Sequence, residues 1–275
     1  MPIYQAIILG IVQGFSEFLP ISSSGHLLLV PWFAGWDELD ASVKKSFDVA
    51  LHLGTLVAVV AYFWTDVTTY VVEGARLVFD RNRPPSAEGR LAWMFVLATV
   101  PAALVGAVFE DQIDNRLGTP VAIGISLIAF GLLLAWADRR HGTRPIEAFG
   151  ARDALIVGAA QALALNPGTS RSGITMTAAR FIGFSRDAAV RISFLMSIPV
   201  ILGAVVFKLG GLFLDGVPEG LIVPMIVGII TSAIAGYLAV WGTVALVRNH
   251  TLLPFVIYRV ALGTIVLIVA ATNLR

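Results

Sequence analysis

Apolar runs of about 18 to 25 residues, the length that crosses a bilayer as helix, occur six times along the chain, at roughly 46–66, 91–109, 119–137, 188–207, 221–247 and 252–272. Two further apolar stretches, about 2–34 and 153–184, are each broken in the middle by Pro, Gly and Ser, as FLPISSSGH and LNPGTSRSG. Each half is too short to span. Helical hairpins that enter and leave on one side fit this pattern better. The hydropathy pattern therefore predicts an all-α integral membrane fold in one domain, with six transmembrane helices and two re-entrant hairpins.

The broken stretches repeat one another. At an offset of 148, Gly10 aligns with Gly158, Gln13 with Gln161, Ser22 with Ser170, Ser24 with Ser172 and Gly25 with Gly173. Each is followed by three spans, an odd number, so the second copy (153–275) must lie upside down relative to the first (1–137). Broken helices at matching positions of two inverted halves point to a binding site near the midplane. Loop charge orients the arrangement. If the loop at about 74–90 is cytoplasmic, the inner segments carry Arg76, Arg81, Arg83, Arg90, Arg139, Arg140, Arg144, Arg152, Arg180, Arg186, Arg191 and Arg248. The outer segments carry only Lys44, Lys45, Arg116, Lys208 and Arg275. The positive-inside rule then places both termini outside, with the first hairpin dipping from outside and the second from inside.

Composition agrees and removes several chemistries. The chain is 57% hydrophobic and 13% charged over 275 residues, against roughly 25% charged for soluble domains. A net charge of +1 offers no electrostatic case for a nucleic-acid partner. With no cysteine, disulfides, thiolate metal sites and Cys nucleophiles are excluded. The N-terminus lacks a basic segment and a small-residue cleavage site, so no cleaved signal peptide is expected.

Of the nineteen Lys and Arg, only Arg171 and Arg259 fall within apolar context, along with Glu17, Asp48, His26 and His52. A charge at bilayer depth costs about 2.5–3.5 kcal/mol on insertion scales, so such groups are rarely idle. Structural ion pairing is the plainer alternative for each. The first motif is Gln13-x-x-x-Glu17 followed by Ser22-Ser23-Ser24-Gly25-His26. Spacing of four puts Gln13 and Glu17 on one helix face, where their oxygens suit either a hard divalent cation or interhelical hydrogen bonds. Ser22 or Ser23 is expected as the N-cap of the second half-helix, which accounts for one serine but not for three followed by Gly-His. The second motif runs Pro167-Gly168-Thr169-Ser170-Arg171-Ser172-Gly173-Ile174-Thr175. Here hydroxyls ring a helix start that also carries a guanidinium. A helix N-terminus is an anion site, and arginine adds a planar fork for phosphate oxygens. Two such starts brought together would suit a diphosphate.

QGFSEFLPISSSGH and PGTSRSGIT resemble the two signatures of the undecaprenyl-diphosphate phosphatase family, E/Q-x-x-x-E and P-G-x-S-R-S-x-x-T. The resemblance extends over the whole chain, including a late FVIYR segment with Arg259. It implies hydrolysis of a polyprenyl diphosphate to the monophosphate at the outer face of the cell membrane, with Mg2+ or Ca2+ as cofactor. That reaction recycles a lipid carrier for cell-wall synthesis and confers bacitracin resistance; a homodimer is left open. Carried over, Glu17 binds or positions the metal with Gln13, His26 is the general acid/base and Arg171 clamps phosphate. Ser22, Ser24, Gly25, Ser170, Ser172, Gly173, Thr175 and Arg259 fall to phosphate binding. Whether Ser23 attacks or orients a water stays open; His26, three residues on, is the base within reach. Gln13 leaves Glu17 as the single carboxylate of its motif, against any scheme with two glutamates on the metal.

Three rivals stand beside this reading. A transporter or flippase would use the same inverted architecture. The acid-phosphatase type of membrane lipid phosphatase needs histidine and aspartate six and ten residues beyond the arginine, where this chain has Thr177 and Phe181. An intramembrane serine protease would leave Arg171 without a task.

Overall fold

The structure, a computed structural model, describes residues 1–36, 41–80, 82, 84–215 and 220–272. Among them the regular elements are helical. They run α1 (Ile3–Phe18), α2 (Ser23–Ala34), α3 (Ala41–Tyr62), α4 (Trp64–Phe79), α5 (Ala87–Leu117), α6 (Pro120–Asp138), α7 (Ala151–Ala162), α8 (Arg171–Phe181), α9 (Arg186–Asp215), α10 (Ile222–Val247) and α11 (Leu253–Ala271), with 3-10 turns at Ile146–Ala148 and Leu163–Leu165. Five stretches are long and apolar enough to cross a membrane: Ala87–Phe109, Pro120–Asp138, Arg186–Val206, Ile222–Val247 and Leu253–Ala271. They match five of the expected spans to within a few residues. The sixth, 46–66, runs past a break. Helix α3 ends at Tyr62, and the chain bends by 89° into α4 at Phe63. Continuous hydropathy through YFWTDV concealed this bend, because α4 carries its own apolar residues forward. Of the loop cations, Arg81, Arg83 and Arg275 lie outside the described residues, as do the side chains of Lys45, Arg116 and Lys208.

Side chains are sorted inside out relative to a soluble protein. Ile125, Leu132, Ile230, Ile234, Ile257 and Ile268 are exposed, whereas Gln13, Ser172, Thr175, Ser193, Ser232, Thr243 and Arg259 are buried. Lipid is the solvent that makes this distribution favourable; the chain is a multi-pass membrane protein.

Packing partners exchange between the halves. Helix α1 lies on α10, and its repeat counterpart α7 lies on α5. Helix α3 packs on α10 and its counterpart α9 on α5, while α3 also meets α9 and α6 meets α11. The matched glycines make the close approaches. A Cβ on Gly10 would stand 2.8 Å from the Gly228 carbonyl, and one on Gly158 would stand 2.4 Å from the Ala98 carbonyl. Small residues are what let helices in lipid touch backbone to backbone.

Candidate active site

The two broken stretches become helix–break–helix units, α1–α2 and α7–α8, and their breaks share one conformation. Ser22 has φ 79° and Ser170 φ 74°, the two non-glycine residues with positive φ among the described residues. Such backbone costs about 1–3 kcal/mol and persists only where surroundings hold it. Here each strained serine is an N-cap. Ser22 Oγ accepts from Gly25 N–H at 3.3 Å and Ser170 Oγ from Gly173 N–H at 3.1 Å. Each hydroxyl also meets the serine two residues on, Ser24 at 3.4 Å and Ser172 at 3.2 Å. The breaks then bind each other. Gly168 N–H donates to Ser22 Oγ at 3.0 Å, and Ser172 Oγ–H donates to the Leu19 carbonyl at 3.1 Å. Gly168 sits at φ +94°, with Ile123 O only 2.7 Å from where a Cβ would go, so glycine is required there. The N-termini of α2 and α8 are thereby brought side by side, both with positive dipole ends.

Glu17, 6% exposed, is the hub. Its Oε1 accepts from Arg171 Nη2 at 2.7 Å. Its Oε2 accepts from Ser23 Oγ–H at 2.6 Å and from Gln13 Nε2 at 3.2 Å, with His52 Nε2 at 3.7 Å. One carboxylate thus joins the first residue of α2 to the first residue of α8 across 148 positions. Helix α9 supports the arrangement from behind. Arg171 Nη1 donates to the Ser193 carbonyl at 3.0 Å, and Thr175 Oγ1 lies 2.8 Å from Ser193 Oγ and bonds the Arg171 carbonyl.

Two expectations need correction. The group that Ser23 Oγ–H meets is the Glu17 carboxylate, not the His26 ring. The His26 ring is held by Nδ1 on the Ser22 carbonyl at 2.7 Å and by Nε2 on Tyr258 OH at 2.7 Å, and it stacks on that tyrosine. A carbonyl only accepts, so in the neutral ring Nδ1–H donates to it and Nε2 accepts a hydrogen bond from the Tyr258 hydroxyl. Arg259, expected on phosphate, is 0% exposed and spends its donors on backbone. Nε bonds Leu127 O, Nη1 bonds Pro20 O, and Nη2 bonds both Gly168 O and Thr169 O, all at 2.9–3.1 Å. Three of these carbonyls, Pro20, Gly168 and Thr169, are orphaned where the two units break, and the fourth, Leu127, belongs to the middle of α6.

For a divalent cation the donor set is sparse. Among the described residues no group of three or more His, Cys, Asp and Glu could hold a metal. Beside Glu17, however, Gln13 Oε1 is buried without a partner. One carboxylate and one orphan amide oxygen fit an ion that takes its remaining ligands from water and substrate phosphate, as Mg2+ commonly does.

Comparison with known proteins decides the family. Residues 6–265 match the family described as Bacitracin resistance protein BacA. The chain belongs to the BacA family. Undecaprenyl-diphosphatases of Geotalea daltonii (45% identical) and Desulforudis audaxviator (46%) align with 98% and 97% of this chain and the same shares of their own lengths. That of Geobacter sulfurreducens is 46% identical over 97% of this chain and 98% of its own.

Within this BacA-family site, three participants escaped the motifs. Ser193 and Tyr258 reach the cluster from α9 and α11, and no local pattern marks them, although Tyr258 adjoins the conspicuous Arg259. His52 had a signal, an imidazole in an apolar helix, but no motif partner in sequence.

Proposed function

We propose that this protein hydrolyses a polyprenyl diphosphate of the undecaprenyl type to the monophosphate and inorganic phosphate, recycling the lipid carrier of cell-wall synthesis. The observation that carries the reading is the shared Glu17 carboxylate, with Ser23 on one oxygen and Arg171 on the other. The names of relatives alike over nearly their whole length support it.

The chain's own residues supply most of the chemistry, since phosphoryl transfer is chiefly positioning and charge neutralisation. The terminal phosphate seats between the N-termini of α2 and α8, and Arg171 turns from Glu17 to the phosphate oxygens. Ser23 Oγ attacks phosphorus as the bond to the bridging oxygen breaks, releasing the polyprenyl monophosphate. The serine proton passes to Glu17 Oε2, already within hydrogen-bond range, and from there to the departing monophosphate oxygen, which restores the carboxylate. Water then gives its hydroxyl to phosphorus and a proton to the serine oxygen, freeing phosphate. His26, tied to Tyr258, positions the first turn of α2, and Arg259 holds the two breaks together. A divalent cation, Mg2+ or Ca2+, held by Glu17 and Gln13, supplies charge neutralisation on the phosphate oxygens. An apolar recess of about 290 Å3 among α1, α2, α3 and the start of α6, with Lys44 and Asp48 at its wall, suits the first part of the lipid.

In this reading α1–α2 and α7–α8 are re-entrant hairpins of an inverted repeat in the cell membrane, and the site opens to the outer face. The shared serine conformations and exchanged packing partners support that topology. The same symmetry favours a second reading, movement of a phosphorylated lipid between leaflets. The deciding experiment is phosphate release from a long-chain polyprenyl diphosphate by purified protein in detergent, with and without EDTA. Release that depends on Arg171 and divalent ion is expected. No release, combined with lipid movement in liposomes, would favour transport instead.

A further inference from the structure

Away from the hydroxyl cluster, a cavity of about 440 Å3 opens where α6 and α10 end and α9 begins. Helix α8 runs from Arg171 in the active site to this region, and Arg180 lies about 14 Å further along it at 1.5 Å per residue. Five arginines (Arg139, Arg140, Arg180, Arg186 and Arg248) and two aspartates line the cavity, an excess of three positive charges.

The charges are arranged rather than scattered. Arg180, 3% exposed, donates to the carbonyls of Phe184 at 2.6 Å, Asp138 and Arg140, and its Nε is buried without a partner. Asp138 is already engaged. Its Oδ1 takes Arg186 Nε at 2.5 Å and its Oδ2 takes Leu252 N–H at 3.0 Å. Arg140 lies over the rings of Trp136 and Phe181 at 5.5 and 5.8 Å. Arg139, Arg140 and Arg248 form no ion pair among the described residues. Ser185, at the start of α9, accepts from Ala188 N–H at 3.1 Å, and that helix start adds its own positive end. Compensation of the α6 and α10 carbonyl ends accounts for one or two cations there, not for five around one cavity with a buried arginine at its floor.

We propose that this cavity is a binding site for a phosphate oxyanion, separate from the catalytic one and on the opposite, cytoplasmic side of the membrane in the topology of the proposed function. Guanidinium groups match phosphate geometry, and basic pockets between membrane helices on that side take anionic lipid headgroups. Trp136, Phe181 and Val247 border the arginines with apolar surface.

The test uses delipidated full-length protein in neutral detergent, titrated with phosphatidylglycerol, phosphatidylcholine or inorganic phosphate and followed by native mass spectrometry. The site variant is Arg139→Gln with Arg248→Gln, both exposed. The control is Arg90→Gln with Arg152→Gln, which removes equal charge elsewhere on the same expected side. Phosphatidylglycerol should bind at least fivefold more tightly than phosphatidylcholine, and the site variant should lose about fivefold while the control keeps its affinity. Competition by inorganic phosphate, without preference between lipids, would assign the site to the free anion. Equal binding by wild type, site variant and control overturns the proposal. Hydrolysis in both variants should match wild type, so failure here leaves the catalytic reading intact, and loss of hydrolysis elsewhere leaves this site intact.

Discussion

Glu17 is the residue on which the site turns, because each of its oxygens holds a group from a different helix start. Substituting Arg171 and substituting Glu17 itself have distinct expected signatures. Arg171→Ala should lower hydrolysis by 10²–10³-fold, the usual loss when a transition-state donor is deleted; more than about a tenth of wild-type activity in a folded variant refutes the clamp. Glu17→Gln keeps the shape but not the charge or the proton acceptor. Turnover should fall and the Mg2+ dependence should shift, as read in an EDTA and Mg2+ titration. Rapid-quench labelling should trap phosphate on Ser23, and its absence in single turnover assigns the attack to water. At this scale the sequence marked which side chains gather in the cluster more readily than how they pair. Arg171 and Glu17 stood out because charges in apolar helices are costly. That same argument could not tell Arg171, which faces the hub, from Arg259, which is consumed by four carbonyls. Nor could spacing along α2 foresee that the His26 ring turns toward α11, since Tyr258 is 232 residues away.

The broken units are what bring these side chains together, and their turns tolerate little change. Gly168→Ala places a methyl 2.7 Å from the Ile123 carbonyl at φ +94°. It should destabilise the protein by about 1–3 kcal/mol, visible as a lower Tm in detergent together with lost activity, because the Gly168 amide is also the link to Ser22. Gly203→Ala, with nothing within 4 Å of the added carbon, should leave both unchanged. The elements themselves were largely legible. Uninterrupted hydrophobic runs marked α5, α6, α9, α10 and α11, and Pro-Gly-Ser clusters marked both breaks. The 89° turn between α3 and α4 was not, because a bend between two apolar segments leaves no trace in hydropathy.

For the molecule as a whole, the repeat makes orientation testable. The chain has no cysteine, so single thiols report cleanly. In intact cells Gly118→Cys should react with an impermeant maleimide, whereas Asn82→Cys and Asn249→Cys should react only after permeabilisation. The reverse pattern would invert the protein and put the candidate site on the cytoplasmic face. The offset of 148 predicts a two-part plan, since like residues at like positions are visible without coordinates. Which helix lies on which was not visible, because any apolar face satisfies lipid.

One guanidinium carries a consequence for how the molecule assembles. Arg259 comes from near the C-terminus, yet it gathers Leu127 and Pro20 from the first half with Gly168 and Thr169 from the second. Neither half can complete that knot by itself. Severing the chain in the Arg140–Thr143 connection and co-expressing the pieces should reconstitute turnover, while Arg259→Met should abolish complementation in the split pair before it abolishes activity in the continuous chain.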